Sequence, residues 1–216
     1  MHNTVKNLIY IEELIKSKAN HDELAKIIAV SKTFPIENIL PLIEHGHLHF
    51  GENKVQEALD KWSDMKIKND AIKLHLIGRL QTNKVKFALR IFDYIHSLDG
   101  EKLATKISEE QVKQEKRPKI FIQVNIGNED QKSRINKDNL VDFYKFCKNL
   151  NLDIVGTMCI PPNDGNVEKY FSDMDKTNQE LNFKELSMGM SGDYLEAIRY
   201  NATYVRVGSK IFGSRT

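Results

Sequence analysis

A lysine follows directly on a buried strand pattern at Ile27-Ile28-Ala29-Val30-Ser31-Lys32, and a turn at Thr33-Phe34-Pro35 leads away from it. Four apolar residues in a row read as a strand buried on both faces, the kind found in parallel sheets covered by helices. A cation at its carboxyl end is out of place as packing, because a buried ammonium without a partner is costly. Either Lys32 reaches solvent or it sits in a site, where an amine can form an imine with a carbonyl group. Serine and glycine gather at Ser187-Met188-Gly189-Met190-Ser191-Gly192, before a helix pattern, and at Gly208-Ser209 after the last strand pattern. Such turns offer backbone N–H groups and hydroxyls to an anion, and they are equally ordinary turn chemistry. A lysine near a phosphate site points to a carbonyl cofactor or substrate. Glu52, Asn53, His75 and Arg206 stand at or near the ends of other strand patterns.

Competing chemistries fit less well. Gly46 and Gly51 have P-loop spacing, but Glu52-Asn53 follows where Lys and Ser/Thr are needed. His45, His47 and His49 alternate as metal ligands on one strand face could, yet no further ligand or carboxylate pattern completes a site. Gly-x-Ser-x-Gly is absent.

The elements that must carry these residues alternate strictly. Strand patterns fall at about 26–32, 47–51, 72–77, 94–97, 119–126, 152–159, 184–187 and 204–207, each separated from the next by a helical pattern. Pro41 should kink or shorten the helix that begins at Pro35. Gly127 to Arg134 reads as a polar loop, and Met188 to Gly192 as the loop after the seventh strand. Strict alternation implies parallel strands with right-handed crossovers. Eight such units imply a closed (β/α)₈ TIM barrel, with active groups at the carboxyl ends of the strands. The last strand has no full helix after it, a gap the N-terminal helix could fill; an open doubly wound sheet is the structural rival.

Composition excludes several classes. The 216 residues carry 32 basic and 30 acidic side chains, a net charge of +2, too small for a surface devoted to nucleic acid or membrane. No apolar run is long enough to span a bilayer. The first 18 residues mix Lys, Glu and apolar side chains, as an amphipathic helix does and a signal peptide does not. Cys147 and Cys159 read as reduced, buried thiols of a cytoplasmic protein.

Five segments occur in an order that covers residues 27 to 213: Ala29-Val30-Ser31-Lys32-Thr33; Phe50-Gly51-Glu52-Asn53 with Val55-Gln56-Glu57; His75-Leu76-Ile77-Gly78-Arg79-Leu80-Gln81-Thr82-Asn83-Lys84; Leu186-Ser187-Met188-Gly189-Met190-Ser191; and Val205-Arg206-Val207-Gly208-Ser209-Lys210-Ile211-Phe212-Gly213. Together they resemble the pyridoxal phosphate homeostasis protein family. The resemblance implies a single barrel domain over 1–216, similar to the N-terminal domain of alanine racemases, with residues 1–20 as an extra helix on the outer ring. It implies pyridoxal 5′-phosphate in the barrel mouth, bound to Lys32 as the internal aldimine. Ser191, Gly208 and Ser209 would hold the phosphate, with Ser187 and Met190 close by. Arg206 would face the pyridine nitrogen, and Asn53 and His75 would line the ring pocket.

The family is described as binding and delivering this cofactor without robust turnover. The implied partners are therefore pyridoxal phosphate and apo-enzymes that use it, with no metal, nucleic acid or membrane, and a monomeric state. The alternative is a minimal enzyme such as an amino-acid racemase, and a third reading is a phosphate-binding barrel without cofactor. Racemisation needs acid and base groups on both faces of the substrate carbon; by analogy the second comes from a C-terminal domain, for which a chain ending seven residues after Ser209 leaves no room. Two departures touch the pattern: Lys54 stands where the family often has an aromatic residue, and Arg134, after Lys132-Ser133, replaces a glycine.

Overall fold

Short runs rich in aliphatic and β-branched residues form the strands in a computed structural model that describes residues 1–18, 24–127 and 134–213. They are β1 (Lys26–Val30), β2 (His49–Glu52), β3 (Lys73–Leu76), β4 (Tyr94–Leu98), β5 (Lys119–Asn125), β6 (Ile135–Asn136), β7 (Asp153–Met158), β8 (Glu185–Met190) and β9 (Tyr204–Val207). The pairing order is β4-β3-β2-β1-β9-β8-β7-β5, and β4 pairs with β5 to close the ring. Every one of these pairings is parallel. The structure is therefore the expected eight-stranded barrel, and the β4–β5 pairing rules out the open sheet.

The helices are α1 (Asn3–Lys18), α2 (Ile36–Glu44), α3 (Val55–Lys68), α4 (Val85–Ile91), α5 (Glu101–Gln114), α6 (Leu140–Asn149), α7 (Val167–Glu180), α8 (Tyr194–Arg199) and α9 (Ser209–Phe212). None among the described residues is long and apolar enough to cross a membrane. Helix α2 runs on through Pro41 to Glu44; the proline forfeits one ladder bond, to the carbonyl four residues earlier. The last strand is followed by one helical turn, α9, and α1 packs there, against α2, α8 and α9. Its Val5, Leu8, Ile11 and Ile15 recur at helical spacing and are buried, worth roughly 1.5–3 kcal/mol apiece. Asn7 Nδ2 adds a hydrogen bond to the Ile211 carbonyl at 3.0 Å.

Two expectations change, and two others fall partly outside the described residues. β6 is a two-residue strand beside β5 that the sequence pattern did not single out. The polar loop expected at 127–134 has its residues 128–133, including Lys132 and Ser133, outside the described residues; so do 19 and 20 of the N-terminal helix expected over 1–20. β8 extends to Met190 instead of ending at Ser187. Ser187 pairs with Tyr204 and Met190 with Arg206, three steps against two, so β8 carries a bulge. Gly189 makes it possible: its φ is +87°, and a Cβ at this position would lie 2.6 Å from the Ala197 Cβ.

The alternation of strand side chains divides the interior into two compartments. One face packs under the helices, through Ile27, Ala29, Phe50, Leu74, Leu76, Ile95, Val205 and their neighbours. The other points into the barrel, where Ile28, Tyr94, Phe121, Met158 and Tyr204 form a small separate cluster.

Candidate functional site

Lys32 sits in the turn after β1, half-buried, on the wall of a pocket of about 360 Å³. The residues flanking it are tied down from two elements. Ser31 Oγ donates to Glu52 Oε1 at 2.8 Å, and the Ser31 carbonyl accepts from Lys61 Nζ at 2.9 Å. The Thr33 amide donates to Glu57 Oε1. Glu52, at the end of β2, is fully buried and accepts further hydrogen bonds from Lys61 Nζ and Trp62 Nε1, each at 3.0 Å. Lys61 also reaches Glu57, at 3.2 Å. Burial works to raise the pKa of the Glu57 carboxyl, but the Thr33 amide and the Lys61 ammonium outweigh it and hold the carboxyl below its usual range. Thr33 is held at a φ of +69°, a left-handed conformation that is strained for a β-branched residue. Such strain persists where neighbours over-determine the backbone. Here Glu52, Glu57 and Lys61 do so, on both sides of the lysine.

Gly78, two residues after β3, lets the Asn53 backbone approach closely beside the pocket: a Cβ on Gly78 would lie 2.3 Å from the Asn53 carbonyl oxygen. The β8 bulge delivers Met190, Ser191 and Gly192 to the opposite rim. The Asp193 carboxylate accepts from the Met190 amide, and the Met190 carbonyl accepts from the Asp193 amide at 3.1 Å, which closes this turn. The Gly208 amide, after β9, donates to Ser191 Oγ at 3.1 Å. Phe34 stacks on Phe212 at 4.9 Å and completes the rim beside Lys32.

Arg206 projects inward from β9 and is 4% exposed. Its Nη1 donates to Ser187 Oγ at 2.7 Å and its Nη2 to the Cys159 carbonyl at 2.9 Å. Burial pulls its pKa down from the usual value, and a guanidinium remains a donor only. The Cys159 thiol is pushed up to about 12 by burial, so it is no nucleophile.

Of the residues singled out in the sequence, Lys32, Asn53, Met190, Ser191, Arg206, Gly208 and Ser209 line this one pocket. His75 and Ser187 do not. His75 is fully buried one layer down the barrel, stacked on Tyr94 at 4.2 Å, and it is Ile77, two residues on, that reaches the pocket wall. The strand period of two carries the signal for Ile77, as it does for Val30 beyond Ile28. Ile160 and Phe34 are further lining residues without such a signal. Arg134 Nη1 donates to the Ile160 carbonyl at 3.3 Å, so the residue that departs from the family's glycine still touches the rim. Lys54 is the residue before α3 and is exposed. Among the described residues no group of three His, Cys, Asp or Glu side chains could hold a metal ion. His47 bonds the His49 carbonyl at 2.9 Å instead.

With this geometry in hand, comparison with known proteins is informative. Residues 11–216 match the family model for the alanine racemase N-terminal domain. A pyridoxal phosphate homeostasis protein of Pasteurella multocida is 36% identical over 216 residues, covering 95% of this chain and 93% of that protein. Another from Aquifex aeolicus is also 36% identical, with the same coverage of each chain, 95% and 93%. Among solved structures, PipY of Synechococcus elongatus with PLP bound superposes with a TM-score of 0.87 at 29% identity, covering 97% of this chain and 100% of that one. Its form without PLP gives 0.89 at 30% identity, covering 98% and 100%.

Proposed function

Because the chain belongs to the pyridoxal phosphate homeostasis protein family, built on the alanine racemase N-terminal domain, we propose that it binds pyridoxal 5′-phosphate in the pocket at the carboxyl ends of the barrel strands. One observation carries this reading. An amine on a clamped turn, a hydroxyl held by a backbone amide and a buried guanidinium line a single pocket of about 360 Å³, which suits a small aromatic phosphate with an aldehyde. When bound, pyridoxal phosphate supplies an electrophilic carbonyl and an electron-withdrawing ring. Lys32 is the residue to bond that carbonyl covalently. Ser191, with Gly208 and Ser209 beside it, holds the phosphate. Arg206 donates to the ring nitrogen and cannot protonate it fully, which leaves the ring a weak electron sink. Asn53 orients the ring, and the rim phenylalanines limit water at its edge.

The role we assign is to hold and release the cofactor, and to deliver it to apo-enzymes, rather than to turn over a substrate. Racemisation needs a second proton-transfer group opposite the lysine. Among the described lining residues there is no His, Tyr, Cys, Asp or Glu. The relatives' names also speak of homeostasis. Two assays test this on the full chain. The loaded protein should restore activity to an apo-enzyme that depends on pyridoxal phosphate, and should show no sustained racemisation of amino acids. Turnover at ordinary enzyme rates, about 1 per second or faster, would reverse the assignment.

A further inference from the structure

Beneath the pocket, three histidines hydrogen-bond to one another in series. His49 Nδ1 lies 2.9 Å from His75 Nε2, and His75 Nδ1 lies 2.9 Å from His96 Nε2. His96 Nδ1 lies 2.9 Å from Ser187 Oγ, which in turn accepts from Arg206 Nη1 at 2.7 Å. The series starts at the opposite end of the barrel. His49 lines a cavity of about 560 Å³ between α1 and the beginnings of β1 and β2. Stacking fixes the middle rings: His75 lies 4.2 Å from Tyr94 at an interplanar angle of 13°, and His96 lies 4.2 Å from Phe121 at 19°.

We propose that His49, His75, His96 and Ser187 form one polarised hydrogen-bond chain that positions Arg206 and links the ring-binding end of the pocket to the cavity at the far end of the barrel. The end group favours one direction for the chain. A guanidinium can only donate, so Ser187 Oγ accepts from Arg206; in the proposed direction its own proton goes to His96 Nδ1, 2.9 Å away. A neutral imidazole has one donor and one acceptor. His96 must then donate from Nε2 to His75 Nδ1, and His75 from Nε2 to His49 Nδ1. Burial, with Arg206 adding to it at His96, keeps both middle rings neutral by lowering their pKa well below the usual value. Four groups are thereby ordered by one charge.

The consequence reaches His49. A proton can settle on its Nδ1 only if the bonds of the chain reverse, and reversal places a second donor on Ser187 and turns its hydroxyl away from His96. The groups around His49 are Lys26 on β1, Lys73 on β3, Asp93 before β4, the Tyr94 and Tyr204 rings, and His47 on the preceding turn, which His45 in turn adjoins. Glu12, Glu13 and Lys16 of α1 line the same cavity. His75, read in sequence as a pocket residue, and His49 and His96 are on this account positioning residues for Arg206. The link to the cofactor rests on the pyridoxal phosphate reading; the chain itself does not.

The test is ¹⁵N NMR of the histidine rings in the full-length, cofactor-free protein. Expected are single Nε2–H tautomers at His75 and His96, with couplings across both His–His hydrogen bonds. Protons on Nδ1, or absent couplings, would overturn the chain without any variant having to fold. Arg206→Gln provides a second arm, because an amide can accept as well as donate: His96 and His75 should then acquire Nδ1–H populations together. A change confined to His96 would break the series. Finally, pyridoxal phosphate added to the wild type should shift the ring resonances of His49. Absorbance-verified occupancy without that shift overturns the link, whereas absence of binding counts against the pocket reading, with Arg206→Gln then deciding the link alone.

Discussion

The rim of the pocket and the floor beneath it solve different problems with different chemistry. At the rim, the turn that carries Lys32 is fixed by charges on neighbouring elements, Glu52, Glu57 and Lys61, while the facing turns present neutral hydroxyls and backbone amides. On the floor, polar rings are satisfied by each other, with His75 and His96 fully buried and His49 facing the cavity at the far end. On the proposed reading the rim takes up and gives up a ligand, while the floor changes as one unit or not at all. On the proposed account, the difference teaches that a buried polar layer can serve a cation of the site, Arg206, without itself lining the site.

The largest effect that would break this division is at the clamp. Glu52→Ala leaves Lys61 beside a void and removes the acceptor shared by Ser31 and Trp62. Breaking such a buried pair should cost about 3–5 kcal/mol, read as a lower urea midpoint. Loss comparable to that of an exposed site would mean the clamp is not what fixes the turn. Lys32→Ala should next abolish the imine absorbance and weaken binding about 100-fold, some 2.7 kcal/mol, with the folded stability nearly unchanged.

Acid should then act on the floor before it acts on the clamp. His47 and His49 are lowered from 6.5 to about 4, chiefly by burial, and His75 and His96 lie well below the usual value as well. The unfolded chain therefore binds more protons as pH falls through 6.5, so the stabilisation is complete above that pH and is lost as it drops toward and through about 4. Urea midpoints measured stepwise over this window should fall continuously; a flat profile would show that the histidines are not held neutral. The smallest effect is at the facing rim. Ser191→Ala removes the hydroxyl bonded to the Gly208 amide, and phosphate-bearing ligand should bind about tenfold more weakly, near 1.4 kcal/mol, while pyridoxal without phosphate is unaffected.

Much of this was legible in the residues. Strict alternation of strand and helix patterns implies the closed barrel, and the carboxyl-end rule places Lys32, Asn53, Ser191 and Gly208 at one mouth, where the structure has them. The β8 bulge was harder to see, because Gly189 and Ser191 read as loop residues until the register with β9 is known. His49 and His96 were invisible as partners of His75: they lie 26 and 21 residues from it, and only the stagger of adjacent strands brings their rings into line. Glu57 and Lys61 look like a solvated helix pair at i,i+4, and their hold on the Lys32 turn comes from how α3 packs.

The central claim, covalent capture by Lys32, has a direct measurement. Purified protein is mixed with pyridoxal phosphate, reduced with borohydride, digested and analysed by mass spectrometry. A reduced pyridoxyl adduct on the peptide that carries Lys32 is the predicted result. An adduct confined to other lysines, or none at all, would contradict it.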